Sequence, residues 1–277
     1  MRPVQVRATV GGHEVGDGRP LLLIAGPCVL ESEAQALAHA RRVAALARAH
    51  GVPAVFKASF DKANRTSVKS FRGVGLERGL AILEAVRRET GLPTLTDVHE
   101  AWQAEPAAKV VDVLQVPAFL CRQTDLVTAC ARHARSVNVK KAQFLAPRDM
   151  RHVLQKCREA GNENVVLTER GASFGYGNLV VDMRSLVQLR ELGAPVCFDA
   201  THSVQLPGMG GDTTAGNREF VAPLARAAAA VGIDALFAEI HEDPATAKSD
   251  GPNSLDFDQA ARVLADVLAI RRALGQP

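Results

Sequence analysis

Cysteine is scarce and follows no pairing pattern: Cys28, Cys121, Cys130, Cys157 and Cys197 are odd in number and widely spaced. Such a set offers no disulfide framework and no CxxC zinc knuckle, which points to a reducing compartment. An excess of charge of one sign is also missing. Lys and Arg number 33 against 30 Asp and Glu, a net +3, so neither nucleic acid nor an anionic membrane is an expected partner. No apolar run approaches a membrane span, and residues 1–20, with Arg2, Arg7, His13 and Glu14, hold none of signal-peptide length. Linkers, low-complexity segments and sequence repeats are absent too. The expectation is a soluble, cytoplasmic protein of one domain over residues 1–277. Any anionic ligand must be drawn by a local cluster of positive groups.

What is present is a rhythm. Short β-rich runs recur at 21–25, 54–57, 94–98, 111–116, 137–140, 165–168, 196–199 and 235–240. They are mostly continuous in apolar residues rather than alternating, as suits strands of a parallel sheet buried on both faces. Helical patterns lie between them. Ser32 is placed to cap a helix running to about His50, where Gly51 stops it. A second pattern over 76–89 precedes Gly91, and Pro147 suits the first turn of a helix ending near Gly161. Ala-rich 220–231 and the final 257–274 complete the set. Eight strand-then-helix units in this length predict an α/β chain closed as a (β/α)8 TIM barrel. Residues 4–15, around Gly11-Gly12, read as a β-hairpin at the barrel bottom.

A barrel of this kind builds its site from the C-terminal ends of its strands, and here each end delivers a reactive or charged residue. Cys28 follows the first, and Lys57, Lys62, Asn64 and Arg65 the second. Asp97 and His99 follow the third, Arg122 the fourth, Lys140 and Lys141 the fifth, Arg170 the sixth, His202 the seventh, and Glu239 and His241 the eighth. Closure places the eighth strand beside the first and seventh, so Cys28, His202 and Glu239 meet on one arc, with Asp250 in the following loop. A thiolate, an imidazole and two carboxylates suit a divalent metal. The same residues also read as a small buried thiol and an ordinary hydrogen-bonded histidine. Lys57, Lys62, Arg65, Arg122, Lys140 and Arg170 are expected on the opposite arc, where they suit phosphates and carboxylates.

The segments AGPCVLES (25–32), FKASFDKANRTS (56–67), TDVHE (96–100), QVPAFLCRQTDL (115–126), NVKKAQF (138–144), TERGASFGYGNLVVDM (168–183), DATHSVQLPG (199–208) and AEIHEDP (238–244) resemble the 3-deoxy-D-manno-octulosonate 8-phosphate synthases, in order over about residues 20 to 255. Cys28, SVQLPG and Asp250 resemble that family's metal-dependent branch, whose metal-independent branch has asparagine at the position of Cys28. The resemblance implies condensation of phosphoenolpyruvate with arabinose 5-phosphate, a step of lipopolysaccharide biosynthesis. It implies one divalent metal ion on Cys28, His202, Glu239 and Asp250, of unnamed identity. It further implies that Lys57, Lys62, Lys140, Arg170 and His202 bind phosphoenolpyruvate, and that Asn64, Arg65, Thr66, Asp97 and Arg122 bind arabinose 5-phosphate. Lys62, His202 and Asp250 are the expected catalytic residues. Arg122 resembles an arginine lent to a neighbouring subunit, which implies a homotetramer. Two departures stand out: Thr66 where serine is frequent, and Glu242 where proline is frequent.

The nearest rival is a 3-deoxy-D-arabino-heptulosonate 7-phosphate synthase using erythrose 4-phosphate. That family carries Lys-Pro-Arg-Thr where this chain has Lys62-Ala63-Asn64-Arg65. A rival from a different class is a non-catalytic phosphosugar-binding or regulatory barrel, and another is a barrel aldolase with Lys140 as its Schiff-base lysine. Trp102, Cys130 and Cys157 lie in helical patterns and are expected to serve packing.

Overall fold

The apolar runs fold into eight parallel strands in a computed structural model, which describes residues 6–65, 67–208 and 215–277. They are β1 (Leu22–Gly26), β2 (Ala54–Lys57), β3 (Thr94–Asp97), β4 (Val113–Val116), β5 (Ser136–Lys140), β6 (Val165–Glu169), β7 (Val196–Asp199) and β8 (Ala235–Glu239). Neighbours in sequence pair in parallel, and β8 pairs with β1, which closes the barrel. Each strand is followed by a helix: α1 (Glu33–His50), α2 (Leu76–Thr90), α3 (Ala101–Ala108), α4 (Thr124–His133), α5 (Met150–Glu159), α6 (Arg184–Arg190), α7 (Val221–Val231) and α8 (Phe257–Ala273). This is the expected (β/α)8 barrel. Among the described residues no helix is long and apolar enough to cross a membrane.

The continuous apolar runs are explained by two separate cores. Strand side chains alternate across the barrel wall. One set, including Leu23, Phe56, Leu114, Val139, Phe198 and Leu236, packs under the helices. The other set, including Leu22, Ile24, Val55, Leu95, Val113, Val166, Cys197 and Phe237, fills the interior together with Ala8, Val10 and Val15. Those last three belong to an antiparallel hairpin of Arg7–Val10 with His13–Gly16. Its turn residue Gly11 has φ of 56° and lies so close to Pro93 that a Cβ would stand 2.8 Å from that ring. The hairpin thus plugs the N-terminal end, as expected, although residues 4 and 5 of the predicted hairpin lie outside the described residues. Fully burying a Val, Leu, Ile or Phe contributes about 1.5–3 kcal/mol, so both cores reinforce the same closure.

Local signals place the helices. Ser32 Oγ accepts the Gln35 amide at 3.2 Å to start α1, and Gly51 ends it with φ of 68°. Asp256 and Gln259 form a reciprocal capping box that starts α8. Three expectations need correction. Pro147 opens a short 3₁₀ turn that leads into α5 rather than α5 itself, because α-helical bonding begins only at Met150. Phe220 lies in another such turn before α7. Trp102, expected to serve packing, is 65% exposed on α3, since its position on the helix faces away from the barrel. Cys130 and Cys157 are buried as expected, and burial pushes each thiol up to about 12.

Candidate active site

The interior changes character one step above its apolar layer. The last inward positions are Lys57 on β2, Asp97 on β3, Gln115 on β4, Lys140 on β5, Thr168 on β6, Asp199 on β7 and Glu239 on β8, all buried. Above them opens a cavity of about 470 Å³ at the C-terminal mouth, lined by residues that include Lys57, Lys62, Asn64, Arg65, Asp97, Lys140, Arg170, His202 and Asp250.

The structure brings Cys28, Glu239 and Asp250 together, with Sγ and carboxylate oxygens all within 4.8 Å of one another. The Cys28 thiol reaches Asp250 Oδ2 at 3.1 Å. His202 Nε2 stands 3.5 Å from Glu239 Oε1 and 3.6 Å from Asp250 Oδ2. These groups come from the segments just after β1 and β7, the last residue of β8 and the loop after β8, and closure of β8 onto β1 makes them neighbours. Burial, then the charges of Asp250 and Glu239, push the Cys28 thiol far up. Asp250 is the one described non-glycine residue with positive φ, at 52°; Ser254 holds its carbonyl by amide and hydroxyl, both at 2.9 Å. Glu239 Oε2 is buried with no partner among the described residues, although a buried carboxylate oxygen without a donor or cation is costly. A soft sulfur, an imidazole and two carboxylates around that oxygen fit a divalent cation.

The cations do not keep to an arc of their own, contrary to the sequence expectation. Lys57 Nζ lies 3.0 Å from Glu239 Oε1 and 2.9 Å from the Cys28 carbonyl. Lys140 Nζ lies 2.5 Å from Asp199 Oδ2 and 3.6 Å from the centroid of Phe237. The physical reason is desolvation: a fully buried ammonium requires an anionic partner within reach, so opposite charges interleave around the barrel. Asp199 also stands 2.8 Å from His202 Nδ1. Burial would raise the Asp199 carboxyl, but His202 and Lys140 hold it well below the usual carboxylate range. Burial would lower the His202 imidazole, but Asp199 outweighs it and holds the ring above the usual histidine range. Arg170 donates from Nη2 to Gln205 Oε1 at 2.5 Å, and its Nη1 has no partner among the described residues.

Lys62 reaches Asp97 Oδ2 at 3.4 Å. Burial alone would lower the Lys62 ammonium, but the acidic groups beside it, Cys28 and Asp97 foremost, carry it well above its usual range. Asn64 is exposed at the cavity rim, and Arg65 Nη1 donates to Ser249 Oγ at 2.8 Å, next to Asp250. Thr66 lies outside the described residues. Arg122 is exposed and does not line its own chain's cavity. The departure at Glu242 has a local account: its amide donates to His39 Nε2 at 3.1 Å, a bond that proline has no N–H to make.

Sequence reasoning missed Asp199, Gln115 and Gln205. Asp199 carries both Lys140 and His202, Gln115 touches Asp97, and Gln205 bridges Arg170 and Asp250, the latter at 3.4 Å. For the first two a signal existed. Each sits two residues beyond an interior apolar residue, Cys197 or Val113, at the parity that faces inward.

Residues 3–271 match the DAHP synthetase I family. The chain is 60% identical over 273 residues to a 2-dehydro-3-deoxyphosphooctonate aldolase of Synechococcus sp., covering 98% of this chain and 96% of that one. It is 56% identical over 262 residues to the protein of that name in Trichlorobacter lovleyi, covering 95% and 96%. With its counterpart in Geobacter sp. it shares 54% over 268 residues, covering 97% and 98%.

Proposed function

The chain belongs to the DAHP synthetase I family, and from that premise we propose that it condenses phosphoenolpyruvate with D-arabinose 5-phosphate and water. The products are 3-deoxy-D-manno-octulosonate 8-phosphate and inorganic phosphate. Relatives that cover almost the whole chain are named for the octonate, so the heptulosonate reading is not favoured. The observation that carries the proposal at the level of the site is the convergence of Lys62, Arg65, Lys140 and Arg170 on one cavity. Two substrates bearing phosphate and carboxylate groups require that concentration of positive charge.

In this reading Lys57, Lys62, Lys140 and Arg170 hold the carboxylate and phosphate of phosphoenolpyruvate, with His202 beside them. Asp199 orients both Lys140 and His202 and favours the charged form of the His202 ring. Asn64, Arg65, Thr66 and Asp97 bind the sugar phosphate, and Arg122 of a neighbouring subunit completes that pocket in a homotetramer. Its exposure away from its own cavity supports the assignment. Holding both anions in register removes much of the entropic barrier, with effective molarities on the order of 10⁵ M. C3 of phosphoenolpyruvate bonds to the sugar aldehyde, water adds at C2, and phosphate leaves by C–O cleavage. Cys28, His202, Glu239 and Asp250 would hold one divalent ion, which supplies charge stabilisation for the aldehyde or for the attacking water when bound. Five free cysteines suit a cytoplasmic location.

The test is phosphate release from the two substrates, with erythrose 4-phosphate as competitor, before and after chelation. Activity with arabinose 5-phosphate that chelation removes and a divalent ion restores is expected, with metal content by elemental analysis following the same course. Preference for erythrose 4-phosphate would overturn the substrate, and activity indifferent to chelation would overturn the metal.

A further inference from the structure

At and just beneath the cavity floor, strands β3 to β6 carry four polar side chains inward. Asp97, Gln115 and Asn138 are direct register partners across three adjacent strands, and Thr168 on β6 follows two residues beyond the partner of Asn138. Thr168 Oγ1 donates to Asn138 Oδ1 at 2.5 Å, and Asn138 Nδ2 donates to Gln115 Oε1 at 2.8 Å. Gln115 Nε2 donates to Asp97 Oδ1. The other oxygen of Asp97 accepts from Ser59 Oγ at 2.6 Å and from Lys62 at 3.4 Å. Apart from Lys62, every residue in this chain of bonds is buried.

The direction of this belt is forced rather than chosen. An ionised carboxylate only accepts hydrogen bonds, and Lys62 and Lys57 hold Asp97 ionised against its burial. Gln115 must therefore turn its N–H towards Asp97 and its carbonyl towards Asn138. Asn138 must then turn its own N–H towards Gln115 and its carbonyl towards the Thr168 hydroxyl. Every link points its hydrogen at one carboxylate, and such chains strengthen each bond in them. Closure of the barrel does not require this polarity on each of these strands, since the positions directly below Asp97, Gln115 and Thr168 are apolar at Leu95, Val113 and Val166, and well-packed apolar residues stabilise as well as or better than buried polar groups.

We propose that Asn138 and Thr168, which do not line the cavity, are positioning residues: they act through Gln115 to fix the Asp97 carboxylate for the sugar substrate. The inference rests on the reading of Asp97 as an arabinose 5-phosphate contact. Asn138→Asp keeps the size but turns the central donor into an acceptor, and it raises KM for arabinose 5-phosphate roughly tenfold or more, the scale of a lost bond to a charged group. KM for phosphoenolpyruvate stays within about twofold. Thr168→Val moves the same constant the same way by roughly twofold to threefold, and Thr168→Ser restores it. In an Asp97→Asn background both effects shrink to less than about twofold, because the target of the belt is already altered.

Wild-type enzyme that releases no phosphate from the two substrates sinks the reading of the site and this role with it. An active wild type whose Asn138→Asp and Thr168→Val variants keep the wild-type KM for arabinose 5-phosphate sinks the belt alone. So does a loss that falls equally on both substrates or stays undiminished in the Asp97→Asn background. If Asn138→Asp does not fold, the cycle of Thr168→Val with Asp97→Asn decides.

Discussion

Asp199→Asn probes the most heavily used anion in the site. One oxygen of Asp199 accepts from Lys140 at 2.5 Å and faces His202 Nδ1 at 2.8 Å; the other accepts from the His202 amide at 2.9 Å and Thr201 Oγ1 at 3.2 Å. An amide replaces one of these acceptors with a donor whichever way it turns. Removing one partner of a buried ion pair costs about 3–5 kcal/mol. The Phe237 ring, 3.6 Å from Lys140 Nζ, survives the change and offsets up to about 2 kcal/mol. A loss of about 1–5 kcal/mol is therefore expected near neutral pH, read by urea unfolding at fixed protein concentration, with KM for phosphoenolpyruvate rising. The sign of the pH dependence follows from the lowered Asp199 carboxyl. Its contribution is complete above the unfolded value of about 4 and is lost as pH falls through the lower folded value. The gap between wild type and Asp199→Asn therefore narrows on acidification. A variant within about 0.5 kcal/mol of wild type, the range of neutral surface changes, would refute the view that Asp199 sustains Lys140 and His202.

Three further changes test separate parts of the site. Cys28→Ala should leave far-UV circular dichroism intact while bound metal and activity fall together; full activity in chelator-treated variant protein would remove Cys28 from the ligand set. Arg65→Ala should raise KM for arabinose 5-phosphate by roughly 10- to 100-fold, as loss of a charge-assisted bond implies, and an unchanged constant would count against the sugar-phosphate role. Gly26→Ala should lower the melting temperature by several degrees, because the new Cβ would meet the Lys57 carbonyl oxygen at 2.1 Å and overpacking against backbone costs about 1–3 kcal/mol or more. An unaltered melting temperature would mean that β1 and β2 can separate without cost.

Closure of the barrel was legible in the sequence because it depends on local and repetitive signals. Runs such as 54–57 and 196–199 are apolar up to their last residue, and Ser32 and Gly51 bracket α1. The candidate site was legible at strand ends, where a reactive residue such as Lys57 or Glu239 follows apolar ones. What could not be read was which charge partners which. Sequence order assigned anions and cations to separate arcs, whereas Lys57 meets Glu239 across 182 residues and Lys140 meets Asp199 across 59. Pairing of that kind follows from the demand of a buried charge for a nearby counter-charge, and only closure of the barrel decides which one stands within reach. The same holds for Thr168, Asn138 and Gln115: their residue types are set by the chain, but the direction of their hydrogen bonds exists only once four strands stand side by side.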